Sequence, residues 1–365
     1  MPQQATQPWT PPEAPASDLA YGAPTARLLL PAGDLDDPDY RREWENVRRS
    51  GIGGSEVAKI LGLDKYQGPR HVFEAKHGRP VPIDATLSEY AEVGLEIEDF
   101  IAHLFTKRTG IPAVPTPGTL VHVEHDWMRS NVDRYALDAE SGAVVAPVEL
   151  KNRSAYQLDD WEDGVPDGPA LQVHWNMAVG GWSYGWAVAL VGGNTLRYHR
   201  IERDEELIGT LIDVCGRWFQ RHVVEGFPPP ADGLESTKEL LGRLWEVKPA
   251  DVVEVPRLKA EKLRKRRAAL VEQIKELDAQ RTLVENEMRL ECGASGVAEV
   301  GGKKAWSYIQ NGTFSAKRFE QEYPEIAARC RTTVEVLDTD LIKEKYPAEY
   351  EACRARVLRV PAKEL

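Results

Sequence analysis

The chain has 365 residues, 42% of them hydrophobic, with ten Trp and twelve Tyr, enough for two or three domains with a sizeable core. No stretch approaches the ~18 consecutive apolar residues of a membrane helix, and the N-terminus lacks a cationic region followed by an apolar run. No membrane association or secretory leader is therefore expected, and the expected location is the cytoplasm, a host's if the chain is phage-encoded. The formal net charge of −12 excludes an all-over basic coat for nucleic acid but not a local basic groove.

Residues 1–35 are rich in Pro, Ala, Gln and Thr without periodicity and read as disordered. From Asp39, a plausible N-cap, YRREWENVRR has helical character, and GIGGSEVAKILGL reads as a glycine turn and a short helix capped by Ser55. Residues 87–109 carry apolar side chains mostly at three- and four-residue steps, which predicts one longer helix. The chain then turns extended, as short strands with turns at Pro117-Gly118 and Ser141-Gly142; VVAPVELK is the clearest strand despite its Pro. Residues 168–184 read as a helix, GWAVALVGGNTLRYHRIER as two strands joined at Gly192-Gly193, and ELIGTLIDVCGRWFQRHV as a helix ending at GFPPP.

That proline cluster places a boundary at residue 230, so 36–230 form one domain and 231–365 an extension. The extension opens with a charged amphipathic helix, 257–291, followed by a hairpin candidate and a basic tail. Its run RLKAEKLRKRR holds seven basic residues and one acid. It reads either as a DNA-backbone contact or as the solvated face of a helix that packs or self-associates, and the acids further along favour the second. Cys215, Cys292, Cys330 and Cys353 lack metal-ligand or CxxC spacing. Trp161, Trp175, Trp182, Trp186 and Trp218 read as core, with base stacking as the alternative.

The chemistry concentrates in three residues. Asp133 ends one extended segment, and Glu149 and Lys151 lie two apart on the next strand, so both side chains share a face of the sheet. Two carboxylates from adjacent strands can clamp a hard cation. Magnesium keeps several waters, so that pair plus one backbone carbonyl, for which Leu150 is placed, is enough. Lys151 would then orient water or steady charge on a cleaved phosphate. A lone E-x-K is more often a surface salt bridge, and the wider pattern decides against that reading here.

A G-x-x-x-E helix, an Asp, an E-x-K strand and a helix with Gln occur in order in GLEIEDFIAHLF, SNVDRYALD, VELKNRS and ALQVHWNMAVGG, after RRSGIGGSEVAKILGL and before GGNTLRYHRIERDEELIGTLIDVCGRWFQRHVVEGFPPP. Over residues 40–230 this resembles the YqaJ-type viral recombinases, relatives of lambda exonuclease within the PD-(D/E)XK nuclease superfamily. The resemblance implies an α/β fold, a small mixed β-sheet flanked by helices, with a helical and hairpin C-terminal extension. It implies metal ligation by Asp133 and Glu149, with Lys151 catalytic, Glu98 as the helical acid and metal ligand, and Gln172 as the glutamine of the following helix. Glu96 rivals Glu98, and Asp138 is a minor competitor for Asp133. Ser55, with Arg49 or Arg48, would hold a DNA phosphate; the alternative is a plain helix cap. The expected function is a magnesium-dependent exodeoxyribonuclease, with manganese as a substitute, digesting linear double-stranded DNA from its 5′ ends in phage-type recombination. A homotrimer and a single-strand annealing partner are implied. An endonuclease or repair nuclease on the same core, or a non-enzymatic DNA-binding or assembly protein, remain the alternatives.

Overall fold

The computed structural model describes residues 22–79, 85–244, 252–332, 336–354 and 358. They fall into two compact units divided between Glu246 and Val247. Among the described residues no helix is long and apolar enough to cross a membrane.

The first unit is built on a five-stranded mixed sheet. Its strands are β2 (Ala113–Val114), β5 (Arg134–Leu137), β6 (Val144–Arg153), β7 (Tyr184–Val191) and β8 (Thr195–Glu202), which lie side by side in that order. Only β6 and β7 run parallel, because α6 (Asp167–Gly180) connects them across one face of the sheet. Val191 pairs with Thr195 across a three-residue turn, in which Gly192 and Gly193 both take positive φ (63° and 75°).

The two faces of the sheet serve different helices. Val148 and Leu150 of β6, with Val188 and Leu190 of β7, pack against Ile101, Ala102 and Phe105 of α5 (Glu98–Thr109). The alternate residues Ala187, Ala189 and Val191 pack with Val173, Trp175 and Met177 of α6. Since side chains alternate along a strand, Glu149 and Lys151 of β6 must lie on the α6 side. Around α6 gather α2 (Gly54–Ile60), α3 (Pro69–Lys76) and α7 (Glu205–Trp218), the last continuing as a π-helical turn at Phe219–Val224. Trp161, Trp175, Trp182 and Trp218 are buried, and Trp186 meets the ring of Phe105 edge-on. Their role is core packing.

The structure departs from the sequence reading in five places. Residues 1–21 of the segment read as disordered lie outside the described residues, but Ala26–Pro31 forms β1, paired antiparallel with β3 (Gly118–His122), which also pairs β4 (Arg129–Ser130). Ala26 and Leu30 are buried there, so tertiary pairing outweighs the local lack of pattern. The helix expected over 87–109 divides into α4 (Ala85–Glu96) and α5 at Ile97, although Ile97 itself keeps a helical backbone (φ −88°, ψ −8°). Helix α3 went unread, although Pro69 at its first turn is a start signal. Ser55 is not the cap of α2; Gly53 is, and the Glu56 carboxylate accepts from the Gly53 N–H at 2.9 Å. The compact unit also continues past the proline cluster through α8 (Glu235–Arg243), which buries Thr237 and Leu240 and donates from Ser236 Oγ to the Tyr66 carbonyl at 2.5 Å.

In the second unit α9 (Arg257–Cys292) precedes a hairpin of β9 (Val297–Val300) and β10 (Lys303–Ser307). Short helices α10 (Ala316–Glu322), α11 (Pro324–Arg329), α12 (Thr339–Lys345) and α13 (Pro347–Ala352) follow. Most of the tail read as basic and helical is thus described, and its last residues are not.

Gly118 enters β3 at φ 135°, and a Cβ there would stand 2.1 Å from the Leu30 carbonyl oxygen. Gly118→Ala should therefore prise β1 from β3 and cost about 1–3 kcal/mol. Urea unfolding should show a lower midpoint; an unchanged midpoint would mean that β1 adds nothing to the unit.

Candidate active site

The site grows from β6. Burial on the α6 side leaves the Glu149 side chain with no solvent exposure, and that of Lys151 with 18%. Ala187 and Ala189 stand beside them on β7, and these small side chains leave room for two long polar ones. The Lys151 ammonium pairs with Glu149 Oε1. Glu149 Oε2 accepts from Asn176 Nδ2 of α6 at 3.2 Å, and Asn176 Oδ1 accepts from Ser130 Oγ at 2.7 Å. Both carboxylate oxygens are thus held, as a buried charge requires.

Asp133 precedes β5, and its Oδ2 accepts from the Leu150 N–H at 2.7 Å. That bond crosses from one strand entry to the backbone between Glu149 and Lys151, and fixes Asp133 against the pair. Asp133, Leu150 and Lys151 line a cleft of about 520 Å³ with Glu98, Gln172 and Ser55. Glu149 lies buried behind this wall rather than in the lining, and three of the residues singled out from the sequence, Arg49, Asp138 and Glu96, stand away from the cleft. Arg49 turns away to Glu45, at 2.9 Å, and it is Arg48 that lines the cleft. Asp138 spends its carboxylate within its own turn, on the N–H of Ser141 at 2.8 Å.

The backbone stays helical through Ile97, and a two-residue step of about 200° separates the rival acids. Glu98 lines the cleft, whereas Glu96 is exposed and borders a separate hollow with Phe100. The Glu98 carboxylate leans 3.3 Å from Arg134 Nη1, and the same nitrogen donates to the Asp133 carbonyl at 2.6 Å. Arg134 thereby ties α5 to the Asp133 backbone.

Three acids crowd this space. Burial, then the charge of Asp133, raises Glu98 to about 7. The same two causes push Glu149 well above the usual carboxylate range. Burial alone would lower Lys151, but Glu149 and Asp133 outweigh it and hold its ammonium above its ordinary value. Among the described residues, no three His, Cys, Asp or Glu side chains converge as a ready metal cage. What is present is a carboxylate pair, Asp133 and Glu149, on either side of the Leu150 backbone. That donor set fits a hard cation that retains water, and Glu98 stands in the cleft wall rather than in the pair.

The sequence reading missed Asn176, although it lies one helical turn after Gln172 and so on the same face of α6. It also missed why the turn before α2 needs glycine. A Cβ at Gly54 would stand 3.0 Å from Gln172 Cγ and 3.3 Å from Asn176 Oδ1, so glycine lets α2 approach both. The cleft has further cations that no motif announces, Arg129 and Arg153.

Comparison with known proteins identifies the family. The profile of the YqaJ-like viral recombinase domain matches residues 43–183. The YqaJ protein of Bacillus subtilis (strain 168) is 30% identical over 291 residues, which cover 78% of this chain and 89% of that one. The chain belongs to the YqaJ-like viral recombinase family. All the residues gathered in the cleft from Arg48 to Gln172 lie inside the YqaJ-like match. Among solved structures, the alkaline exonuclease LHK-Exo from Laribacter hongkongensis is similar at 18% identity and TM-score 0.40, covering 50% of this chain and 93% of its own. A phage-related exonuclease from Haemophilus somnus 129PT is similar at 11% identity and TM-score 0.34, covering 50% and 99%.

Asn176→Leu keeps the side-chain size but leaves Glu149 Oε2 and Ser130 Oγ without their partner. It should lower stability by about 1–3 kcal/mol, the cost of stranding buried polar groups. Thermal unfolding of the two proteins measures this. Equal midpoints would show that Asn176 does not support the buried carboxylate.

Proposed function

We propose that the chain is a magnesium-dependent exodeoxyribonuclease that digests linear double-stranded DNA from 5′ ends during phage-type recombination. The observation that carries this reading is the convergence of Asp133, Glu149 and Lys151 around the Leu150 backbone, with Asp133 and Lys151 lining the cleft and Glu149 buried directly behind them. Its direction, its assembly as a homotrimer and its work beside a single-strand annealing protein rest on the family likeness. Manganese would substitute for magnesium.

Asp133, Glu149 and the Leu150 carbonyl would hold the cation. When bound, magnesium neutralises charge on the phosphodiester and acidifies water. Lys151 stands two residues from Glu149 on the same face and pairs with it, and its ammonium would orient the attacking water and steady the phosphate as charge develops. Glu98, held by Arg134, would position water or a further ligand from the α5 side. Gln172, Ser55 and Arg48 line the far wall, where a terminal phosphate would find the unpaired N–H groups at the start of α2, the Ser55 hydroxyl and a guanidinium. The cations of the cleft act locally, which reconciles DNA binding with a net charge of −12.

Asp133→Ala, Glu149→Ala and Lys151→Ala should each lower hydrolysis of an end-labelled duplex by at least about 10²-fold. Calorimetry should show weakened magnesium binding for the two carboxylate variants and not for Lys151→Ala. Near-normal digestion by the Glu149 variant would reject the assignment. Glu98→Gln should cost far more activity than Glu96→Gln, because only Glu98 reaches the cleft; the reverse order would move the functional acid into α4. For the phosphate wall, a 5′-phosphorylated duplex should be digested about tenfold faster than a 5′-hydroxyl one if the contact contributes ~1.4 kcal/mol in the transition state. Ser55→Ala or Arg48→Ala should shrink that preference, and equal rates on both ends in the unaltered protein would remove the phosphate pocket while leaving the metal site untouched.

A further inference from the structure

Within the second unit, α9 runs for 36 residues and buries only Cys292 among its described residues. A helix of this length, about 54 Å, has little reason to persist alone unless an apolar face is covered. Such a face exists and is bare. Leu263, Leu270, Leu277 and Val284 follow each other at seven-residue steps, and are 57%, 49%, 63% and 54% exposed. Between them, at the complementary heptad position, come Ala260, Arg267, Ile274, Arg281 and Met288. This is a heptad pattern sustained for four repeats, the signature of a helix that packs against another helix.

Charge selects the partner and its direction. Residues 257–267 carry seven basic side chains and one acidic, whereas 276–291 carry five acidic and two basic. A parallel pair would set the basic ends together and stack Arg267 on Arg267. An antiparallel pair sets each basic end on the other helix's acidic end. If a two-fold axis passes between Lys275 and Glu276, each layer from Leu263 to Met288 holds at least one apolar side chain. Ile274 meets Leu277 of the second copy, Leu270 meets Arg281, Leu263 meets Met288 and Arg267 meets Val284. The flank closes in the same register, with Arg266 opposite Glu287 of the second copy. Among the described residues neither Arg266 nor Glu287 has an ion-pair partner within the chain. The two core arginines can lay their stems along the seam and keep their heads in water, and they penalise registers that would bury them.

We infer that α9 is an interaction surface for a second copy of this chain, paired as an antiparallel two-stranded coiled coil centred between Lys275 and Glu276. The inference does not rest on the nuclease reading. It applies whether the particle is a dimer or two rings joined through their extensions.

The full-length chain tests it by sedimentation equilibrium at micromolar concentration. Ile274→Asp with Leu277→Asp should halve the particle mass, and an unchanged mass would overturn the pairing, as would a wild-type chain already monomeric. Charge swaps guard against a helix that merely unfolds. Arg266→Glu alone and Glu287→Arg alone should each weaken association on the order of tenfold, since each change is repeated by symmetry at both ends. Both changes in one chain should restore it, because the antiparallel register then sets opposite charges against each other again with their signs exchanged. Failure of that rescue, or single swaps without effect, would reject the antiparallel register.

Discussion

Glu149 carries a carboxylate into the layer between the sheet and α6, where Lys151 meets one oxygen and Asn176 the other. Burying an ion this way costs several kcal/mol unless its partners are supplied. Much of the first unit can be read as the supply. Helix α6 follows β6 through two short 3₁₀ turns and returns across the sheet, which sets Asn176 above Glu149. Ala187 and Ala189 leave the space, and Leu150 turns its side chain to the opposite face while its N–H binds Asp133. The crowding of Asp133, Glu149 and Glu98 is unfavourable as it stands, and the raised carboxyls express that. Two like charges against one lysine leave negative charge that a cation would relieve, so the strain in the fold and the proposed chemistry have the same origin.

A second buried ion pair braces the cleft wall. Glu56 of α2 meets Lys76 of α3 at 2.6 Å, and the same ammonium donates to the Arg48 carbonyl at 2.6 Å. Thus one lysine pins the end of α1 (Pro38–Arg49), the first turn of α2 and the last turn of α3 together. Ser55 and Arg48 are presented to the cleft from this braced corner. Because Glu56 is committed both to Lys76 and to the Gly53 N–H, it does not compete as a metal ligand. Burial lowers the Lys76 ammonium from its usual range although Glu56 opposes the shift. A charge held in this way is a rigid element, and the corner that presents Ser55 and Arg48 is accordingly built from packing rather than from loops.

How much of this was legible in the sequence depended on whether the signal was local. The run VVAPVELK identified β6 because a strand with both faces covered is apolar and β-branched throughout, and the two-residue step placed Glu149 and Lys151 together. Gly192-Gly193 identified its hairpin because few other residues accept those φ angles. By contrast, β1 is a strand only because β3 is beside it, and its own segment is surrounded by Pro and Ala. Which of Glu96 and Glu98 faces the cleft follows from how α5 packs on the sheet through Ile101 and Phe105, which no local signal gives. Asn176 was within a quoted stretch but has no charge, and its role appears only when Ser130 and Glu149 arrive from distant strands. The choice between Arg49 and Arg48 was hidden for a similar reason. Glu45, one turn earlier on α1, claims Arg49, and only the placement of α1 shows it.

The central claim is that this cleft hydrolyses DNA from an end with the help of a divalent cation. Incubating the unaltered protein with equal amounts of linear and covalently closed circular duplex, with magnesium and with magnesium plus excess chelator, tests it in a single assay. The account predicts release of nucleotides from the linear duplex alone, and none when the chelator is present. Cleavage of the closed circle, or digestion that persists in chelator, would contradict it.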